Sequence, residues 1–174
     1  GQANFVSIPF SPKDDDADGD VDYKDVLEKV RPNLDRVWAY TYDETTKTNI
    51  WHYRKTTTTG SWSTTGDLQT IVPGYGYIIF MKNDSVLYGN ARTISGNPND
   101  EPVVPASVKL ANGYNLIGAF GNVSDTADSL LGSLKSGSTQ YWYKVLDKNE
   151  LNVTTMQPNT AYWISMKHLP DTAT

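Results

Sequence analysis

The chain has 174 residues, a formal net charge of −5 and no cysteine. That length can bury a real core in one domain or two small ones. The acidic balance argues against nucleic acid, which wants a basic face. The lack of cysteine excludes disulfides, thiol nucleophiles and thiolate metal sites. No apolar run is long enough to span a bilayer.

The chain opens Gly1-Gln2-Ala3 without Met, as a mature chain would after signal removal. Asn4, Phe5, Val6, Ile8 and Phe10 then form a nearly continuous apolar strand. A strand at a chain end can pair with its own sheet or add to an open edge on a neighbouring copy, so these five residues are a candidate assembly strand. Removing residues 1–10 should then leave a folded chain that no longer assembles.

Seven of the twenty acidic side chains fall between Asp14 and Asp25. Counted as a twelve-position EF-hand-like loop, Asp14, Asp16 and Asp18 take positions 1, 3 and 5, with Gly19 at the sharp turn of position 6. Asp20 offers its carbonyl at position 7, Asp22 stands at position 9 and Asp25 closes the loop at position 12. Alternate side chains of a tightly turning loop point inward, where a hard cation such as Ca2+ collects about 6–8 oxygens. Asp25 replaces the usual bidentate Glu. The other reading is a solvated acidic loop, in which neighbouring carboxylates repel one another. A closing Asp followed by the helix pattern Val26, Leu27 and Val30 resembles the dockerin-type calcium loops of secreted proteins.

Three blocks of the chain recur in order, which marks an internal duplication. Asn4–Phe10 is matched by the strand beginning at Asn115, 111 residues on; Val37–Asp43 by Tyr141–Asp147 at 104; and Ile71–Lys82 by Met156–Lys167 at 85. Residues 1–92 form repeat one, 93–107 a Pro- and Asn-rich connector, and 108–174 repeat two; the two may share one core. Repeat one carries two additions, the acidic loop at 14–25 and a Thr-rich hairpin at 44–66. In repeat two, a short helix near 126–135 follows directly, with Ser124 or Asp125 as N-cap. Short strands rich in Val, Ile, Thr and aromatics, with turn signals between them, predict a mainly β sandwich or barrel-like fold with one or two short helices.

Trp38 with Trp142, and Tyr77 with Tyr162, hold equivalent repeat positions and read as core. Trp51, Tyr53 and Trp62 belong to the added hairpin and have no counterpart. They are either packed within the hairpin or a partner-facing platform for sugar. His52 and His168 are far apart; His52 reads as a polar, outward residue. No phosphate loop, nucleophile elbow or zinc-protease helix is present, so no catalytic residue is assigned and the chain is not expected to be an enzyme.

Asn83, Asn122 and Asn152 open glycosylation sequons. Together with the Thr-rich composition and the calcium loop they point to an extracellular or cell-surface location. Weaker candidates for a second cation site are Asn97, Asn99, Asp100 and Glu101, or Asp125 with Asp128. The blocks opening Asn-Phe-Val or Asn-Leu-Ile, with Trp-x-Tyr in the middle and Pro-Gly-x-Gly-Tyr-x-Ile closing, resemble the β-rich repeats of archaeal cell-surface and S-layer-associated proteins. With a calcium loop, sequons and no cysteine, the chain also resembles the subunits of cannulae, extracellular tubes that assemble when calcium is added. That resemblance implies a structural protomer whose partners are further copies of itself. The alternative is a secreted carbohydrate-binding or adhesive module that contacts surface glycans and uses calcium structurally.

Overall fold

The computed structural model describes residues 3–15, 17–19, 21–87, 107–119 and 123–167. The protein is mainly β. Repeat one contributes β1 (Ala3–Ser7), α1 (Tyr23–Leu27) running into a 3₁₀ turn (Glu28–Asn33), β2 (Leu34–Asp43), β3 (Thr48–Thr56), β4 (Trp62–Gly66) and β5 (Gly76–Met81). These strands form one antiparallel sheet in the order β1-β5-β2-β3-β4. Repeat two contributes β6 (Gly113–Gly118), β7 (Asp125–Thr126), α2 (Ala127–Leu130), a 3₁₀ turn (Gly132–Leu134), β8 (Lys135–Ser136), β9 (Thr139–Gln140), β10 (Trp142–Leu146), β11 (Thr155–Met156) and β12 (Ala161–Met166). Its main sheet has the order β10-β12-β6.

The strand registers superpose the repeats. Phe5 faces Ile78 and Val6 faces Tyr77 in the first sheet; Leu116 faces Trp163 and Ile117 faces Tyr162 in the second. On the other side, Leu34 faces Met81 and Trp142 faces Met166, and each pairing is followed by a bulge before the next residue pair. The middle strand of the motif therefore matches at an offset of 108, four more than the sequence blocks suggest. The helices do match at 104, since α1 starts at Tyr23 and α2 at Ala127. The small β8–β9 hairpin, which lies between the second helix and β10, supplies the difference.

This corrects the expected equivalence of Trp38 with Trp142. Trp142 corresponds to Leu34, and both are buried, at 4% and 0% exposure; Trp38 corresponds to Leu146 and stays half-buried. Tyr77 and Tyr162 are true equivalents. Both are buried, and their hydroxyls accept the matching amides of Val72 and Gln157. The Tyr77 hydroxyl also donates to the Val72 carbonyl, and burial pushes its pKa far up.

Strand alternation gives each sheet two faces. Val6, Val37, Tyr77 and Ile79 turn to one side and pack with Val26 and Leu27 of α1. The opposite faces of the two sheets meet each other. A Cβ at Gly76 would stand 2.6 Å from both Ala161 Cβ and Leu116 Cγ, so the sheets touch there through small residues. The contacts are reciprocal: Ser7 donates to the Asn159 carbonyl and Gly118 to the Gly74 carbonyl, while Val6 bridges Thr160 and Ile117 bridges Tyr75. Residue i of one repeat meets residue j of the other and the reverse, which is the signature of an internal two-fold. One continuous buried cluster draws on both repeats.

The N-terminal strand is an edge strand of the first sheet, paired with β5 over its whole length. Ser7 is 1% exposed and sits on the two-fold. The strand is thus part of the sheet-to-sheet packing in its own chain. Its removal would open that packing, which revises the expectation of an intact fold without residues 1–10. In repeat two the helix N-cap is Thr126, not Ser124 or Asp125. The Thr126 hydroxyl accepts the Ser129 amide, while the Asp125 carboxylate takes the Thr126 amide and the Ser129 hydroxyl.

Candidate metal site

The acidic loop joins β1 to α1, and its two ends are tied by carboxylates. Asp14 accepts the amides of Ala17 at 2.7 Å and Gly19 at 3.1 Å, which folds positions 1 to 6 into a tight turn. Ala17 and Gly19 hold positive φ values of 58° and 99°. Glycine adopts that conformation without strain, which accounts for Gly19 at position 6. Asp22 is the N-cap of α1 and accepts the Lys24 amide at 2.6 Å, and Asp25 completes a capping box by accepting the Asp22 amide at 2.8 Å. The other oxygen of Asp25 accepts the Asp15 amide at 2.6 Å, so this carboxylate clasps the start of the loop to its end. It is buried, at 7% exposure.

Lys24 places its ammonium 2.9 Å from Asp22 and 3.7 Å from Asp18, at positions 9 and 5. Lys29 pairs with Asp15 at 3.3 Å. Among the described residues no three carboxylates or imidazoles converge as a metal-binding group; Asp16 and Asp20 lie outside them. What the described part offers is a pre-turned loop, an Asp at each end held by backbone amides, and an ammonium between two of the carboxylates. A divalent cation collected by this loop would compete with Lys24 for Asp18 and Asp22. Lys24→Met should tighten calcium binding about two- to fivefold, in line with the 0.2–1 kcal/mol of an exposed ion pair. Isothermal titration of both proteins checks this, and weaker binding by the variant would show that Lys24 supports the loop instead.

The loop is also docked on the added hairpin. Tyr23, the first residue of α1, stacks edge-on against Trp62 at 4.8 Å and lies under the Arg54 guanidinium at 4.5 Å. Trp62 Nε1 donates to Glu28, and Arg31 donates to the Gly60 carbonyl. Trp62 therefore belongs with the acidic loop and is separate from Trp51 and Tyr53. The structure divides the three-residue platform expected from sequence.

Trp51 and Tyr53 lie on one face of β3, opposite Tyr40 and Trp38 of β2. The four rings form a row, with Tyr40–Trp51 at 4.8 Å and Trp38–Tyr53 at 5.0 Å. Across the gap between the sheets, Trp163 meets Tyr40 at 5.7 Å and Trp51 at 6.0 Å, and Tyr114 at 6.4 Å. Sequence reading missed Trp163 and Tyr114, which come from repeat two and reach this place only through the packing of the sheets.

The remaining candidates have local explanations. Half-buried His52 shares Asp67 with the Tyr53 amide. Burial works against ionisation of Asp67, but those two hydrogen bonds outweigh it and hold the carboxyl below its ordinary range. Asp125 caps its turn and Asp128 pairs with Lys135. Asn83 and Asn152 are exposed; Asn122, His168 and the group at Asn97, Asn99, Asp100 and Glu101 lie outside the described residues. No helix among the described residues is long and apolar enough to cross a membrane. Comparison with protein-family models, with curated proteins and with solved structures finds no match in any of the three.

Proposed function

We propose that this chain is a calcium-binding extracellular structural protein, without catalytic activity, that assembles with copies of itself into a tube, filament or surface layer. The observation that carries the calcium part is the clasped loop. Asp14 and Asp25, the first and last candidate ligands, are already oriented by backbone amides, and Gly19 turns the chain between them. Calcium would be held by Asp14, Asp16, Asp18, Asp22 and Asp25, with the Asp20 carbonyl, and would neutralise the repulsion within the cluster.

The assembly part rests on where that loop lies. It follows β1, which sits at a sheet edge and pairs with β5 in a five-residue register. The same register formed with β5 of a neighbour would join copies by strand exchange, with calcium fixing the direction in which β1 leaves its own domain. The exposed sequon residues Asn83 and Asn152 fit a surface that meets the outside of a cell.

Calcium titrated into calcium-depleted protein tests the proposal, followed by light scattering and negative-stain images with magnesium as control. Ordered tubes or fibres are expected with calcium only. A protein that stays monomeric and merely gains thermal stability would reduce calcium to a fold-stabilising ion and overturn the assembly part.

A further inference from the structure

The two sheets part on one side of the two-fold to leave a cleft of about 540 Å3, within the range usual for ligand sites. Tyr40 and Trp51 line one wall, Trp163 and Tyr114 the other, and Leu146 is its aliphatic member. Lys144 and Glu150 stand at its margin, both exposed. Trp51 is 45% exposed and Tyr114 is 47% exposed, although both rings belong to a connected aromatic cluster. The Trp51 and Trp163 ring planes meet at 75°, and those of Tyr40 and Trp163 at 64°. The cleft is therefore a corner of ring faces and edges, each held by its neighbours.

The internal two-fold shows that the scaffold does not need this cluster. The counterpart of Trp163 is Ile78, that of Tyr114 is Ala3, and that of Leu146 is Trp38. Trp51 comes from β3; in the corresponding place beside β10, repeat two has a short return of the chain at 151–153, bridged at Leu146 and Asn152, which carries no ring. Packing of the duplicated core thus gives no reason for four rings to gather here. Tyr40 and Tyr114 each meet Trp163 directly, and the added hairpin lays Trp51 over Tyr40 and towards Trp163.

We propose that this cleft binds a short stretch of a neutral polysaccharide, with a pyranose ring stacked on Trp51 or Trp163. The polarised C–H groups on one face of a pyranose are drawn to the negative face of an indole, while its rim hydroxyls need hydrogen-bond partners. Lys144 donates and Glu150 accepts at the margin, and their opposite charges favour an uncharged ligand over an anionic or cationic one. An apolar protein anchor would find a single aliphatic residue among the lining groups. Asn49, on the same face of β3 as Trp51, keeps its side-chain oxygen buried without a hydrogen-bond partner while its amide holds the Tyr114 carbonyl. This binding is independent of the calcium proposal.

The experiment is titration of the full chain with tetrasaccharides of β-1,4-linked glucose, N-acetylglucosamine and mannose, read by tryptophan fluorescence and calorimetry, with calcium and with chelator. At least one should bind saturably with Kd of about 1 mM or tighter, a weak affinity on the usual scale. Trp163→Ala should weaken it at least tenfold, and the milder Trp163→Phe should weaken it less while preserving the melting temperature. Trp62→Phe, remote from the cleft, should leave it unchanged. The proposal fails if none of the three sugars binds saturably, or if Trp163→Ala and Trp163→Phe both bind like the parent chain. It also fails if the main effect of Trp163→Ala is to abolish a concentration-dependent dimer, which would make the cleft a seat for a second copy.

Discussion

Asp25→Asn is expected to abolish the response of this protein to calcium and to weaken the calcium-free fold as well. Each oxygen of Asp25 accepts one backbone amide, from Asp15 and from Asp22. An asparagine has only one acceptor oxygen, so one of the two amides would face an NH₂ group. Leaving a largely buried donor unpaired costs about 1–3 kcal/mol. The substitution also removes the carboxylate that closes the loop at position 12, where a calcium site needs charge and, ideally, both oxygens. At a calcium concentration one hundred times its Kd, the parent chain should gain about 2.7 kcal/mol. For a protein of this size that is roughly 5–10 °C in melting temperature. Asp25→Asn should show none of that gain, while Asp25→Glu keeps the charge and should retain most of it. Thermal melts of the three proteins with calcium and with chelator decide the matter. An undiminished calcium shift in Asp25→Asn would remove Asp25 from the ligand set.

The parts of the site that are close in sequence were legible; those assembled from distant strands were not. Asp14, Gly19, Asp22 and Asp25 lie within one turn-and-helix unit, so their spacing alone places a tight turn at Gly19. The cap at Asp22 was not foreseen, because the apolar pattern places the helix only after Asp25 while it begins at Tyr23. The duplication was legible for the same reason: Pro73, Tyr77, Met81 and Lys82 recur 85 residues on as Pro158, Tyr162, Met166 and Lys167. The middle block misled because a shared Trp and a shared Asp five residues later, Trp38 and Asp43 against Trp142 and Asp147, outweighed register. The strands align Leu34 with Trp142, and the bulge that follows each is a feature of hydrogen bonding that residue identity does not carry. Trp62 was grouped with Trp51 and Tyr53 because all three lie in one hairpin. Its partners Tyr23 and Glu28 are on the helix below, more than thirty residues earlier. The aromatic cleft needs side chains from β2, β3, β6 and β12, and no local pattern announces such a meeting.

The Thr126 cap has a similar lesson at smaller scale. Ser124, Asp125 and Thr126 are all good caps by composition. The two-residue pairing of β7 with β11 fixes the chain as extended through Asp125 and Thr126, so the helix can begin only at Ala127. Sheet pairing thus selected among caps that propensity left equal.

The second large effect is expected at the internal two-fold. Ser7 and Gly118 are equivalent positions and face each other across it; a Cβ at Gly118 would fall inside the Cβ and Oγ atoms of Ser7. Gly118→Ala should therefore destabilise the fold by about 3 kcal/mol, at the upper end of overpacking costs, because Ser7 is fully buried and its strand is tied on both sides. The two-fold supplies the remedy. Ser7 donates its hydroxyl to the Thr160 carbonyl, and the equivalent carbonyl on the other side is that of Tyr75. Exchanging the residues, Ser7→Gly with Gly118→Ser, moves the side chain to the opposite strand with room vacated for it and a matching acceptor within the same geometry. The double variant should recover most of the loss suffered by Gly118→Ser alone. Urea denaturation of the parent, both single variants and the double variant gives the coupling as a double-mutant cycle. A favourable coupling of about 2 kcal/mol is expected; additive effects would mean that Ser7 and Gly118 do not meet. Since strand exchange between copies would carry β1 and Ser7 into a neighbour, the same four proteins report on assembly. If copies join by exchanging β1, mixing Gly118→Ser subunits with Ser7→Gly subunits should rescue polymerisation that the first alone cannot sustain.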